Sequence, residues 1–184
     1  MTPEKLAQVQ SRARCLHTET EVEAALDAMA VSISRQLSTT NPLLLCVMQG
    51  GLIVTGKLAT RLAFPLQLDY LHATRYRERT SGGDLHWRQY PAQSLQGRTV
   101  LVIDDILDEG KTLEAIVNYC KEQGSREVYS AVLVNKIHQR RQSTIKADFI
   151  GLEIEDFYLF GYGMDYKGYL RNAAGIFAIA EVDL

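Results

Sequence analysis

The segment Val100–Leu113, VLVIDDILDEGKTL, limits what this chain can fold into more than any other stretch of it. Val100 to Ile103, with Ile106 beyond two acids, read as a buried strand. Asp104 and Asp105 stand at its carboxyl end, where open α/β sheets place their ligands. The loop Asp108-Glu109-Gly110-Lys111-Thr112 then runs into a helix predicted over 111–123. Its buried stripe is Leu113, Ile116, Val117 and Cys120, and Gly124 ends it. A short glycine-containing loop that opens a helix presents unpaired backbone N–H groups and the positive end of the helix dipole to an anion. Dipole complementarity alone explains Asp108 and Glu109, but not two adjacent carboxylates straight after an apolar strand, which would repel each other. Those two suit Mg²⁺ or ribose hydroxyls, since both seek carboxylate oxygen. An anion site, a sugar site and a metal site side by side describe a phosphorylated ribose.

The rest of the chain supplies a frame for that junction. A first helix is expected from Thr18 or Thr20, since Thr18/Glu21 and Thr20/Glu23 both have capping-box spacing, with Val22, Leu26, Met29, Ile33 and Leu37 facing inward. Leu43–Met48 is a wholly apolar strand, followed by Gly50-Gly51 and a second helix through Leu62. Strands are also expected at Leu66–Ala73, Glu127–Asn135, Phe149–Ile154 and Ile176–Ala180. Alternation of strand and helix from Leu43 to Val134 predicts a parallel sheet covered on both faces. Arg75 to Gln96, with Ser81-Gly82-Gly83-Asp84 inside it, reads either as an active-site lid or as a β-excursion in which Leu85–Tyr90 pairs back.

Composition excludes several classes. With 184 residues, 46% of them hydrophobic and 23% charged, the chain has the size and balance of one globular domain. A net charge of −2 gives no footprint for nucleic acid, and no apolar run approaches the ~20 residues of a membrane span. The first residues lack the apolar stretch of a signal peptide. Cys15, Cys46 and Cys120 are scattered, as expected for free thiols in a reducing cytoplasm. The histidines at 17, 72, 86 and 138 show no metal-ligand spacing, and none is assigned a role.

Taken with Val47-Met48-Gln49-Gly50-Gly51, Leu133-Val134-Asn135-Lys136 and the run from Asp148 to Arg171, the Asp108 loop resembles the type I phosphoribosyltransferases, and within them the hypoxanthine-guanine branch. The likeness runs from about Leu43 to Ala180 in the correct order, which is far more specific than one motif. It implies a single domain over 1–184, with a parallel-sheet core at about 18–147, a small hood from 1–17 and 148–184, and a long flexible loop. It also implies purine salvage: transfer of 5-phosphoribosyl from phosphoribosyl pyrophosphate to N9 of hypoxanthine or guanine, giving IMP or GMP and diphosphate, with Mg²⁺ as cofactor. A cytoplasmic homodimer or homotetramer without nucleic-acid or membrane partners goes with it. A xanthine-preferring transferase and a regulator that senses phosphoribosyl pyrophosphate and binds nucleic acid are the alternatives.

By the same resemblance, Asp108 is the general acid/base near purine N7. Glu109, Gly110, Lys111 and Thr112 hold the 5′-phosphate, and Asp104 and Asp105 take ribose hydroxyls and metal. The Gln49-Gly50 turn and Arg171 contact diphosphate. Gln49 stands where the family commonly has lysine, so a side-chain charge is lost there while the backbone donors survive. Lys136 donates to the purine 6-oxo group, as a donor-only ammonium can; as a bare residue it reads as a solvated strand-end lysine, and the resemblance reverses this. Phe149 stacks on the purine and Ile150 offers backbone groups to its edge, unless Phe149-Ile150-Gly151 is simply a core strand. Asp156 holds a second Mg²⁺, whereas Asp165 and Tyr166 are expected to be structural.

Overall fold

The computed structural model describes residues 1–75, 85–140 and 142–184. Its elements in chain order are α1 (Pro3–Arg12), β1 (Arg14–Thr18), α2 (Glu19–Leu37), β2 (Leu43–Met48), α3 (Gly51–Ala59), β3 (Gln67–Arg75), β4 (Leu85–Gln89), β5 (Thr99–Leu107), α4 (Lys111–Glu122), β6 (Glu127–Ile137), β7 (Phe149–Glu155), β8 (Leu159–Phe160) and β9 (Gly175–Ala178). A six-stranded sheet has the order β4-β3-β2-β5-β6-β7, and a three-stranded sheet the order β1-β9-β8.

Strand periodicity explains how the larger sheet is buried. Side chains alternate between faces, so Leu44, Leu101, Ile103 and Leu133 meet the inward stripe of α2 (Val22, Leu26, Met29, Ile33, Leu37) and α3 on one side. Leu43, Leu45, Val100, Val102 and Val132 meet Leu113, Ile116, Val117 and Cys120 of α4 on the other. A strand apolar at every position is what a parallel sheet covered on both faces requires. The start of α2 is set by Thr18, whose hydroxyl accepts from the Glu21 amide while the Glu21 carboxylate accepts from the Thr18 amide, a reciprocal capping box.

The strand order fixes where a ligand can enter. From β2 the chain turns through α3 to β3 on one side, and from β5 through α4 to β6 on the other. The β2–β5 boundary is therefore a topological switch point, with a crevice beyond the carboxyl ends of its strands. Pairing between these two strands stops at Cys46↔Ile103, while β5 continues to Leu107 against β6. Asp104 and Asp105 stand just past the last β2–β5 pair, at the mouth of that crevice.

Several expectations shift. The second helix ends at Ala59, because Arg61 and Leu62 donate three residues back, to Leu58 and Ala59, and close a tighter turn. Leu85–Gln89 pairs back antiparallel on β3, as one reading of that stretch held; its Ser81-Gly82-Gly83-Asp84 segment lies outside the described residues. Strand β7, which follows residue 148, pairs in parallel with β6 of the larger sheet. Helix α1 was not anticipated, although Thr2 caps it, Pro3 opens it and Glu4 lies in its first turn.

One side chain joins three parts of this frame. Glu23 of α2 accepts from Lys57 of α3 at 2.6 Å, from Arg61 after α3, and from the Tyr162 hydroxyl at 2.5 Å. Lys57, with the Tyr162 hydroxyl next, holds its carboxyl down from the usual 4.5 to about 2. A depressed carboxyl pKa contributes stability that is complete above the unfolded value and is lost as pH falls through the folded one. Acid titration of the fold should therefore show a stability loss between about pH 4.5 and pH 2, and that loss should be absent in Glu23→Gln. At neutral pH, Glu23→Gln should cost about 1–2 kcal/mol in denaturant melts, the scale of partly exposed charge-assisted hydrogen bonds.

Candidate active site

Two turns flank the crevice. The first follows β2, where the Met48–Gln49 peptide is cis and Gly50-Gly51 opens α3. Glycine at position 50 leaves room for the carboxylate of Asp105, which a Cβ would displace. Gly163, at φ +110, packs onto the same spot, and its own Cβ would strike the Gly50 carbonyl. The Gly163 carbonyl in turn accepts from Arg171 at 2.5 Å, and Arg171 pairs with Asp165 at 2.6 Å. Asp165 also accepts the Gly168 amide at 2.6 Å, so the residue expected to be structural braces the turn that carries Arg171. Across a cleft of about 430 Å³, Arg171 and Asn172 face Met48 and Gln49.

The second turn is the acidic loop after β5. Gly110 sits at φ +91 at the N-cap of α4 and supplies no side-chain cap, so the first-turn amides of Lys111 and Thr112 open outward. A Cβ at Gly110 would also press on Ser143 and Ile145 at 3.0 and 3.2 Å. Glu109 turns its carboxylate toward Arg140 at 3.7 Å and accepts the Gln142 amide on its carbonyl at 2.9 Å. This arrangement suits a phosphate ester: backbone donors and a dipole, with the one acidic side chain of the loop tip drawn aside.

Asp104 and Asp105 behave as an uncompensated pair. The Asp105 amide donates to the Asp104 carboxylate at 2.9 Å, and Asp105 is 7% exposed. Desolvation raises both carboxyl pKa values, that of Asp104 well above normal with the Asp105 charge adding to it, while Arg171 pulls both the other way. An acid with a raised folded pKa destabilises the fold as pH rises through that value. Ribose hydroxyls or a divalent cation would relieve this, so the residues present fit both.

Beyond β5 lies a third cluster. Register places Leu107 beside Asn135, which brings Asp108 level with Lys136. Lys136 is 7% exposed and lies 3.4 Å from both Asp108 and Asp156, so the solvated strand-end reading fails. Asp156 is held by Arg140 through two bonds of 2.8 and 2.5 Å, and this pairing takes its carboxyl down to about 2. The donor atoms of Asp108, His138 and Asp156 lie within 4.8 Å of one another, a spacing that a metal ion could bridge. Asp156, expected as a metal ligand, belongs to that group, and its oxygens pair with Arg140 and Lys136.

Phe149 and Ile150 also need correction. They begin β7 and pair with Ala131 and Val132, whereas Lys136 pairs with Ile154, five residues further on. At about 3.3 Å per residue that is roughly 16 Å along the strand, at the opposite edge of the sheet. Phe149 packs instead beside Tyr129, with ring centres 6.3 Å apart. The structure points to two other residues. Tyr158, two positions after Asp156, is 40% exposed and rests edge-on against Tyr166. His138 reaches Asp108 at 2.6 Å. His138 shares strand parity with Lys136, which was the available signal.

Comparison with known proteins decides the family. The phosphoribosyl transferase domain model matches residues 15–167. The chain belongs to the phosphoribosyltransferase family. It is 29% identical over 160 residues to the hypoxanthine-guanine phosphoribosyltransferase of Bacillus subtilis (strain 168), covering 86% of this chain and 88% of that one. It is 26% identical over 168 residues to the hypoxanthine-guanine-xanthine phosphoribosyltransferase of Tritrichomonas foetus, covering 91% and 92%. Among solved structures, a hypoxanthine phosphoribosyltransferase from Staphylococcus aureus superposes with a TM-score of 0.87 at 22% identity, covering 98% of this chain and 96% of that one. The Trypanosoma cruzi hypoxanthine phosphoribosyltransferase, in complex with the product IMP, gives 0.84 at 23%, covering 93% and 95%. The last two likenesses bear on the fold alone, and they match the type I phosphoribosyltransferase fold described above.

Removing the Asp104 charge should separate stability from binding. Asp104→Asn should raise the melting temperature of the ligand-free protein near neutral pH by a few degrees, since it deletes a desolvated, repelled carboxylate. Calorimetry of both proteins is the check; a lower melting temperature would mean that the carboxylate is compensated.

Proposed function

We propose that the chain is a purine-salvage transferase, moving 5-phosphoribosyl from phosphoribosyl pyrophosphate to N9 of hypoxanthine or guanine and giving IMP or GMP plus diphosphate. The observation that carries this reading is one edge of one sheet holding, in order, the glycine turn with Arg171, the Asp104–Asp105 pair, the Gly110 helix N-terminus and the Asp108–Lys136 cluster. Those are the complements of a diphosphate, a ribose, a 5′-phosphate and a polar heterocycle. The full-length relatives named for this activity support it.

In this reading, the backbone of Gln49-Gly50 and the Arg171 guanidinium receive the departing diphosphate. With no lysine charge at position 49, Arg171 is the cation that lines that cleft among the described residues. Asp104 and Asp105 hold the ribose hydroxyls, and Glu109, Gly110, Lys111 and Thr112 cradle the 5′-phosphate through backbone N–H groups and the Thr112 hydroxyl. Magnesium, the divalent ion we assign, would be held by Asp104 and Asp105, and supplies charge neutralisation of diphosphate and ribose oxygens when bound. Asp108 takes or returns the purine proton. Lys136 donates to the 6-oxo group, a geometry that rejects an exocyclic amine. Tyr158 is the exposed aromatic on the Asp156 side and takes the stacking role first given to Phe149. The chemistry of displacement at the anomeric carbon then rests on alignment and electrostatics.

Xanthine also carries a 6-oxo group, and the Tritrichomonas foetus relative is named for all three bases, so xanthine stands as a second acceptor. Among the described residues no helix is long and apolar enough to cross a membrane. A cytoplasmic site of action and a homodimer or homotetramer complete the proposal.

Steady-state kinetics with hypoxanthine, guanine, xanthine and adenine as competing acceptors is the direct test; incorporation of adenine alone would overturn it. Asp108→Asn should lower kcat by about 10²–10⁴, the range for a positioned acid/base group, with a near wild-type kcat removing Asp108 from that role. Lys136→Ala should lower kcat/KM for 6-oxopurines roughly tenfold to hundredfold, the effect of a charged hydrogen bond of about 1.5–3 kcal/mol. Its KM for phosphoribosyl pyrophosphate should move far less. Tyr158→Ala should raise the purine KM, whereas Phe149→Ala should lower the melting temperature and leave that KM unchanged.

A further inference from the structure

His138 lies immediately after β6, with its side chain only 4% exposed, and its two ring nitrogens have different partners. The backbone N–H of Arg140 donates to Nδ1 at 3.0 Å. A backbone amide can only donate, so Nδ1 carries no proton in this arrangement. The ring is therefore the neutral tautomer with its proton on Nε2. Nε2 stands 2.6 Å from Oδ1 of Asp108, and the direction of that bond follows: the imidazole donates and the carboxylate accepts. The other oxygen, Oδ2, is the one that faces Lys136, at 3.4 Å.

We propose that His138 is a positioning residue for Asp108, a neutral donor that fixes the carboxylate through Oδ1 so that Oδ2 is presented beside Lys136. This rests on the reading of Asp108 as the group that exchanges a proton with the purine. A carboxylate free to rotate about its terminal torsion presents either oxygen in a broad range of orientations, and proton transfer is sensitive to such misplacement. One short bond to a buried ring removes that freedom. Arg140 contributes twice, through its amide, which selects the tautomer, and through its guanidinium, which is occupied by Asp156 and stays 3.6 Å from Asp108. A proton on Nδ1 would set its N–H against the Arg140 N–H.

Two amide substitutions separate the two halves of the ring. Glutamine places an amide nitrogen where Nε2 lies and keeps the donor to Asp108. Asparagine places its oxygen where Nδ1 lies and keeps only the acceptor for the Arg140 amide. His138→Gln should retain kcat within about threefold, and His138→Asn should lose about tenfold in kcat, both with KM for phosphoribosyl pyrophosphate within twofold. A histidine that merely shapes the turn through Nδ1 predicts the reverse order. The proposal is overturned if His138→Asn keeps wild-type kcat, or if the two variants are equally impaired. Nitrogen-15 NMR of the labelled full chain reads the tautomer without any turnover: Nε2–H is expected, and Nδ1–H or an imidazolium at neutral pH would overturn the proposal. A wild-type protein with no transferase activity would instead sink the functional reading, while the tautomer measurement still decides the hydrogen-bond arrangement.

Discussion

The architecture of the site depends on one close approach. Gly50 has no side chain where the carboxylate of Asp105 lies, and Gly163 has none where the Gly50 carbonyl lies. Three segments far apart in sequence, at 50, 105 and 163, therefore meet with backbone against side chain. A Cβ at Gly50 would displace the Asp105 carboxylate, and one at Gly163 would push the hood off the Gly50 carbonyl. Arg171 follows from this contact, because the guanidinium that faces Gln49 is anchored on the carbonyl of Gly163. The energetic support lies further out, where Glu23 ties Tyr162, the neighbour of Gly163, to α2 and α3.

Next to that contact the protein keeps a pair of carboxylates that its own burial disfavours. The strand that carries them is covered on both faces by aliphatic side chains, and its pairing with β2 ends one residue before Asp104. Asp104 and Asp105 thus combine a desolvated position with a backbone no longer paired to β2, and Arg171 offsets only part of the cost. Such a conflict between local preference and burial is what a binding site looks like in an otherwise consistent fold.

What could be read from the amino-acid order was what is local. The Thr18–Glu21 capping box, the unbroken apolar strand Leu43–Met48 and the strand-loop-helix unit around Asp108 are each specified by residues within one turn of one another, and they formed as expected. What failed depended on the polarity and register of distant strands. Phe149 has the right chemistry for a purine face, but strand β7 runs parallel to β6, so its first residue falls at the edge away from Lys136. His138 carried no recognisable spacing, because its partner is 30 residues away and the two meet only through the β5–β6 register. The burial of Lys136 had the same origin. Helix α1 differs for another reason: its capping signal is clear, but its apolar stripe is short, Leu6 and Val9 with Ala13 beyond, and only Val9 is buried.

The cluster around Asp108 shows how neighbouring charges can be sorted by geometry. Arg140 has acceptors at Asp108, Glu109 and Asp156, yet only Asp156 receives two short bonds. A carboxylate gripped by a guanidinium in that way is fixed in orientation, with one lone pair of each oxygen engaged. Asp108 avoids that state because Asp156 accepts it. Its own short contact comes from a neutral ring, and its nearest cation, Lys136, stands back at 3.4 Å between two acids. Asp156 is therefore useful to the site as an acceptor: it draws the guanidinium off the Asp108 carboxylate. By the same logic the Glu109 side chain, drawn toward Arg140, leaves the helix N-terminus to the phosphate. Two acids that seem misplaced beside an anion site are explained by one arginine.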